Sequence, residues 1–278
     1  DSSASSRAVY RLAVLNSWEG NLRGAIPLFA RYVQLEPRDE EGRIALAKAY
    51  AWSGATDRAV AVYDSILTRD ATYRDAALGA AQALAWAGRF DAALGRYDRW
   101  LAGTPRDVEA GLARARTLAW AGRLPAAEAA YVELQSRGEL LEASKGVALV
   151  AAWGGDLLRS ERLWQELTRK VPQDPEAWVG LAQVLRWSGR TEAARDALDH
   201  ALAANPAHPD AREQMRWVRA ELGPTVEPGA ASAWDSDGNR SRQAVMAGSM
   251  RPSSLTRLTV AGSRRWTELN GLRGTSTT

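Results

Sequence analysis

The stretch Leu84-Ala85-Trp86-Ala87-Gly88-Arg89 decides the fold, because it returns down most of the chain at a nearly constant interval. Its counterparts are Trp18-Glu19-Gly20, Trp52-Ser53-Gly54, Trp120-Ala121-Gly122, Trp153-Gly154-Gly155 and Trp187-Ser188-Gly189. Successive tryptophans lie 34, 34, 34, 33 and 34 residues apart. An interval of about 34 residues is the length of one helix-turn-helix unit, and such a unit buries its apolar face only by stacking on copies of itself. The expected fold is therefore all-α, a solenoid of six helix pairs.

Within each unit the first helix ends at the tryptophan and glycine. The second carries a small residue five positions past the glycine and a large one four further on: Ala25/Phe29, Ala59/Tyr63, Ala93/Tyr97, Ala127/Tyr131, Ser160/Trp164 and Ala194/Leu198. A spacing of i, i+4 puts both on one helix face, where the small residue admits a neighbouring helix and the large one fills the space beside it. Pro37, Pro105, Pro172 and Pro206 stand where a helix must stop, and Ala71 and Glu139 take that place in the other two units. The units run over residues 7–38, 39–72, 73–106, 107–139, 140–173 and 174–207, with residues 208–222 as a capping helix. Residues 1–6 are polar and are expected to form a structureless leader.

This pattern resembles the tetratricopeptide repeat over residues 7–222. The small residue that the family carries in the middle of its first helix matches Ala13, Ala47, Ala81, Ala115, Ala148 and Ala182. The family's bulky residue four positions earlier survives as Trp178, with Val9, Arg43, Ala77, Gly111 and Ser144 in the other units. The resemblance implies an α-α superhelix whose first helices line the ligand-binding wall. Onto that wall it maps Lys48, Gln82, Arg116, Lys145, Gln183 and Arg186, together with Trp18, Trp52, Trp86, Trp120, Trp153 and Trp187. A row of indoles can stack on the apolar C–H faces of sugar rings while amide and cationic groups bond the hydroxyls. The same row can instead pack helix ends against the next unit, and the residues leave both readings open. Arrays of this family that hold chaperone tails use a clamp of lysine, asparagine and arginine. Tyr10 and Val14 occupy the first unit's places here, so that version is not expected.

Catalytic chemistry is sparse. The two histidines, His200 and His208, are paired with no nucleophile at a telling spacing, and the absence of cysteine removes disulfides and thiolate metal sites. Gly154-Gly155 lies at a turn between helices and needs no phosphate to explain it. The regular carboxylates Glu41, Asp75, Glu109, Glu142 and Glu176 open the first helices, where negative charge suits the helix dipole by about 0.3–1 kcal/mol. No cofactor or metal is implied, and the chain is expected not to be an enzyme. From residue 229 on, seven arginines oppose Asp235, Asp237 and Glu268, so the repeats themselves are close to neutral. A nucleic-acid-binding array would carry a basic stripe along its repeats, so nucleic acid is not an expected partner.

After Gly223-Pro224 the character changes. Strands are expected over residues 242–250 and 255–264, with a turn at Arg251-Pro252-Ser253-Ser254 and with Leu258 and Val260 alternating with Arg257, Thr259 and Ala261. Asp235-Ser236-Asp237-Gly238-Asn239 has the wrong glycine spacing for an EF-hand calcium loop and reads as a tight turn before a strand. Trp234 and Trp266 bracket the pair, as aromatics bracket the strands of an outer-membrane barrel, although a soluble hairpin or a disordered end fits the residues as well. Six Trp-x-Gly turns followed by this Asp-x-Asp-Gly segment and amphipathic strands are similar to the periplasmic parts of bacterial exopolysaccharide export proteins, the cellulose and poly-N-acetylglucosamine porins among them. That resemblance implies a periplasmic scaffold at the outer membrane, partnered by other proteins of a secretion or synthase complex and by a β-linked polysaccharide, in a chain that continues into more strands. The alternative is a general scaffold that binds peptide segments in its groove. The start at Asp1 rather than Met fits a processed or shortened chain.

Since every repeat finds its stacking partner within residues 7–222, a fragment of that span is expected to be soluble, strongly helical and able to fold without the tail. Circular dichroism dominated by strand or coil would contradict this.

Overall fold

The structure, a computed structural model, describes residues 2–138, 140–223, 225–234, 240–253, 256–269 and 272–277. Two compact units follow one another in the chain, Asp1–Gly154 and Gly155–Thr278. The first holds α1 (Ser2–Trp18), α2 (Leu22–Leu35), α3 (Glu40–Trp52), α4 (Thr56–Leu67), α5 (Arg74–Trp86), α6 (Phe90–Gly103), α7 (Val108–Trp120), α8 (Leu124–Ser136) and α9 (Leu140–Trp153). The second holds α10 (Leu157–Lys170), α11 (Pro175–Trp187), α12 (Thr191–Ala204) and α13 (Pro209–Leu222), then β1 (Thr225–Trp234), β2 (Arg240–Ser253), β3 (Thr256–Leu269) and β4 (Leu272–Thr277). The chain is thus a solenoid of helix pairs followed by a short β-rich tail.

Each odd-numbered helix from α1 to α11 ends on its tryptophan, and the glycine two residues later explains why. Gly54 has φ 79°, in the left-handed region that a side chain disfavours. Its N–H donates to the Ala51 carbonyl, and the Ala55 N–H donates to the Tyr50 carbonyl. These two bonds form a Schellman motif, which satisfies carbonyls that a helix end otherwise leaves open and turns the chain back on itself. The same pair of bonds recurs after Gly20, Gly88, Gly122 and Gly189.

The small residues of the repeat pattern are fully buried: Ala13, Ala47, Ala81, Ala115, Ala148 and Ala182 on the first helices, Ala25, Ala59, Ala93, Ala127, Ser160 and Ala194 on the second. Phe29, Tyr63, Tyr97, Tyr131, Trp164 and Leu198, one turn further along the second helices, are buried too. Burial of this kind pushes the Tyr97 phenol up to about 12 and keeps it neutral. Successive repeats stack so closely that a Cβ on Gly79 would meet the Tyr63 ring at 2.6 Å, and one on Gly146 would meet the Tyr131 ring at 2.4 Å.

Two expectations change. Residues 2–6 are not a loose leader but the opening of α1, where the buried Ser6 hydroxyl donates to Glu36 Oε1 at 2.8 Å. The tail is not a lone hairpin but a four-stranded antiparallel sheet in the order β1-β2-β3-β4, with Trp234 opposite Arg240 and Leu269 opposite Leu272 at strand ends. β1 carries Pro228 and Gly229 and lacks the alternation that marks its neighbours, which hid it in the sequence. The Asp235–Asn239 turn falls outside the described residues.

Charge pairs link one repeat to the next in the first unit. Arg89 bonds Asp57 at 2.6 Å, Arg123 bonds Asp91, and Arg96 grips Asp64 with two bonds of 2.7 and 2.9 Å. Exposed pairs contribute little each. Asp107 is different: it caps α7 through the Ala110 N–H at 3.1 Å and accepts from Trp100 Nε1 at 2.9 Å and from Arg74 Nε at 2.8 Å. The Arg74 guanidinium is the main cause that holds its carboxyl down at about 2. A depressed carboxylate contributes stability above its unfolded value and loses it as the pH falls towards the folded one, here on the order of 2 kcal/mol between about pH 4 and pH 2. Urea unfolding between pH 5 and pH 2 is expected to show that acid loss in the native protein and a shallower loss in Asp107→Asn.

Candidate functional site: the tryptophan row

One stripe of each first helix carries the residues of interest, at successive spacings of three, four and four that keep them on one face. In α3 the stripe reads Glu41, Ile44, Lys48 and Trp52, in α5 Asp75, Leu78, Gln82 and Trp86, and in α7 Glu109, Leu112, Arg116 and Trp120. α9 repeats it as Glu142, Lys145, Leu149 and Trp153. In the second unit α11 gives Glu176, Val179, Gln183 and Trp187. The acidic residue stands in the first turn and the indole at the last helical position.

All six indoles are open to solvent, from 81 % for Trp18 and 54 % for Trp52 down to 39 % for Trp153. They end their helices, and the turn that follows leaves them part-covered. The aromatic that packs the repeat is the one on the second helix, four residues past the buried small residue. The five indoles after Trp18 are about half-covered, so each has one part against its repeat and one part in solvent.

Lys48, Gln82 and Arg116 are exposed one turn before their tryptophans, and the Arg116 guanidinium lies 6.0 Å from the Trp120 ring centre, a cation–π distance. Gln183 takes the same place in the second unit and is half-buried. Arg186 adjoins Trp187 in the chain and is half-buried, with its Nε lacking a hydrogen-bond partner. Lys145 stands elsewhere: it lies one turn nearer the start of its helix, with 11 % of its side chain exposed and a 2.8 Å bond to Glu142. The place that matches Lys48, Gln82 and Arg116 belongs to Leu149. The available signal was the tryptophan itself, because four residues back from Trp153 stands Leu149, as Lys48, Gln82 and Arg116 stand four back from theirs.

The remaining polar groups are structural. His200 stacks on Trp178 with ring centres 4.4 Å apart, and His208 caps α13 by accepting from the Ala211 N–H at 3.3 Å. Among the described residues no three His, Asp or Glu side chains gather as a metal site would require.

Residues 19–72 and 53–114 match one tetratricopeptide-repeat model, and residues 175–216 match a second. No curated protein matches the sequence. Among solved structures, a tetratricopeptide repeat protein from Parabacteroides merdae is 18% identical with a TM-score of 0.60, over 78% of this chain and 87% of that one. PilW, described as a widely conserved type IV pilus biogenesis factor, is 17% identical with a TM-score of 0.55, over 75% of this chain and 97% of its own. The Cut9–Hcn1 structure is 16% identical with a TM-score of 0.53, over 79% of this chain and 41% of that one. At such identities the likeness is one of fold. Joined to the repeated Schellman turn and the buried small residues, these matches establish that the helical part of the chain belongs to the tetratricopeptide-repeat family.

Proposed function

We propose that this protein is a non-catalytic scaffold whose tryptophan face holds a polysaccharide chain during export, in the periplasm beside the bacterial outer membrane. The observation that carries the reading is the exposure of one indole per repeat at the same helical position. The exposed half of each ring leaves apolar area in water at a cost of about 25 cal/mol per Å2. An indole offers a flat apolar platform to the C–H face of a pyranose, and Lys48, Gln82, Arg116 and Gln183 supply hydrogen-bond donors one turn away.

The sheet adds support. One of its faces carries Trp234, Met246, Leu258, Val260 and Trp266, all exposed, while the opposite face of β2 carries Ser241, Gln243, Val245, Ala247 and Ser249. The arginines of the first face, Arg240, Arg242 and Arg264, gather at its tryptophan end, where long basic side chains can reach a membrane surface. A band of apolar residues bordered by tryptophan on one side and small polar residues on the other is the pattern of a barrel strand in lipid. Barrels close with about eight strands or more, so this reading requires strands beyond the four described. A scaffold that binds protein segments is the second reading. It is favoured by Val14 and Leu149, which take the polar place of the stripe in α1 and α9.

Titration of the native protein with cello-oligosaccharides and N-acetylglucosamine oligomers is expected to change indole fluorescence. The double variant Trp86→Ala/Trp120→Ala is expected to lose that response and stay folded, at a cost of about 1–3 kcal/mol for each half-buried indole. A native protein blind to both oligomer series would remove the glycan reading and leave the peptide-binding scaffold.

A further inference from the structure

A second feature lies away from the tryptophan row, where each first helix meets the loop before it. In three places the fourth residue of the repeat pattern reaches back to the carbonyl of the preceding unit's closing proline. Arg43 Nη2 donates to Pro37 O at 2.8 Å, Trp178 Nε1 to Pro172 O at 2.8 Å, and Arg212 Nε to Pro206 O at 2.7 Å. The large side chain covers the junction, and in α11 the Trp178 indole is stacked there against His200.

The third and fourth repeats have no such side chain. Their residues at that place are Ala77 and Gly111, and at both a cleft opens. The one over Ala77 measures about 270 Å3 and is walled by Leu67, Arg96, Arg99 and Trp100. The one over Gly111 measures about 830 Å3, with Leu101, Val108 and Leu134 as its apolar walls. The Pro105 carbonyl, counterpart of Pro172, is taken by Arg137 Nη1 at 2.7 Å. Glu133, the counterpart of His200, pairs with the same arginine at 2.6 Å.

The larger cleft is lined by three arginines and three acidic residues, Asp98, Asp107 and Glu133. Arg114 is paired with Asp98, Arg137 with Glu133 and Asp107 with Arg74. Arg106 lines the cleft, is exposed and has no ion-pair partner among the described residues. The site therefore presents a slot with apolar walls and a charged rim, of the kind that another repeat of this chain fills with an indole, beside one arginine that stands outside the ion pairs.

We propose that the cleft over Gly111 receives an aromatic side chain from a partner peptide, with a neighbouring carboxylate of that peptide paired to Arg106. The aromatic group takes the place that Trp178 takes within its own repeat.

The test uses the full chain and the acetylated, amidated peptide Gly-Asp-Trp-Asp-Gly, followed by calorimetry and by the amide resonances of Gly111 and Leu134. Saturable binding with shifts at those two amides is expected, and none with the peptide whose tryptophan is alanine. Gly111→Trp fills the slot from within and is expected to weaken binding about tenfold or more. The added Cβ meets only the flexible Leu134 side chain, with Cδ2 nearest at 2.9 Å, so that side chain can yield. Arg106→Glu alters an exposed, unpaired side chain, leaves packing untouched and is expected to weaken binding about fivefold or more. Trp86→Ala, on the other face, is expected to leave it unchanged. Absence of saturable binding, native affinity in both cleft variants, or loss in Trp86→Ala alone would overturn the proposal. So would concentration-dependent dimerisation abolished by Gly111→Trp, which would make a second copy the occupant. Each of these outcomes is independent of whether the tryptophan row binds sugar.

Discussion

The left-handed glycine two residues after each tryptophan is the constraint on which the solenoid depends. It ends the first helix at a set residue, bonds the open carbonyls and sends the chain back so that the second helix meets the first at a fixed phase. With the phase fixed, the small residue seven positions before that glycine is no free choice. Ala47 and Ala59 share one buried cluster, and Ala13 and Ala25 share another. A bulkier residue there would push the helices apart, since interiors packed to crystal-like density have no room to spare.

From that geometry follows a division of labour among aromatics. The residue four past the second small one points inward and meets the next repeat, closely enough that glycine stands opposite Tyr63 and Tyr131. The tryptophan at the end of the first helix keeps from about two-fifths to four-fifths of its surface in solvent. Both are aromatic and both recur at the same interval, so neither hydrophobicity nor period separates them. Their separation comes from where the helix stops.

The sheet rests on a different rule. Its two-residue alternation, not a 3.6-residue stripe, sorts side chains, so Met246, Leu258 and Val260 fall on one face and Gln243, Ala247 and Ser249 on the other. The antiparallel register of β2 and β3 shifts between Met250 and Ser253, the end of β2 that contains Pro252. Proline has no N–H for the ladder, which accounts for an irregularity at that end.

The sequence by itself determined the helix pairs, their boundaries at Trp-x-Gly and the identity of the buried small residues, because a period of about 34 residues and an i, i+4 pair are local properties of the chain. It also marked β2 and β3 through the alternation around Leu258 and Val260. Only the tertiary structure decided that the indoles stand part-exposed, that Lys145 is tied to Glu142, and that Gly111 leaves a cleft where Trp178 closes one. Solvent exposure and open volume are set by what the neighbouring repeat brings against a residue, and no property of that residue or its spacing carries this information.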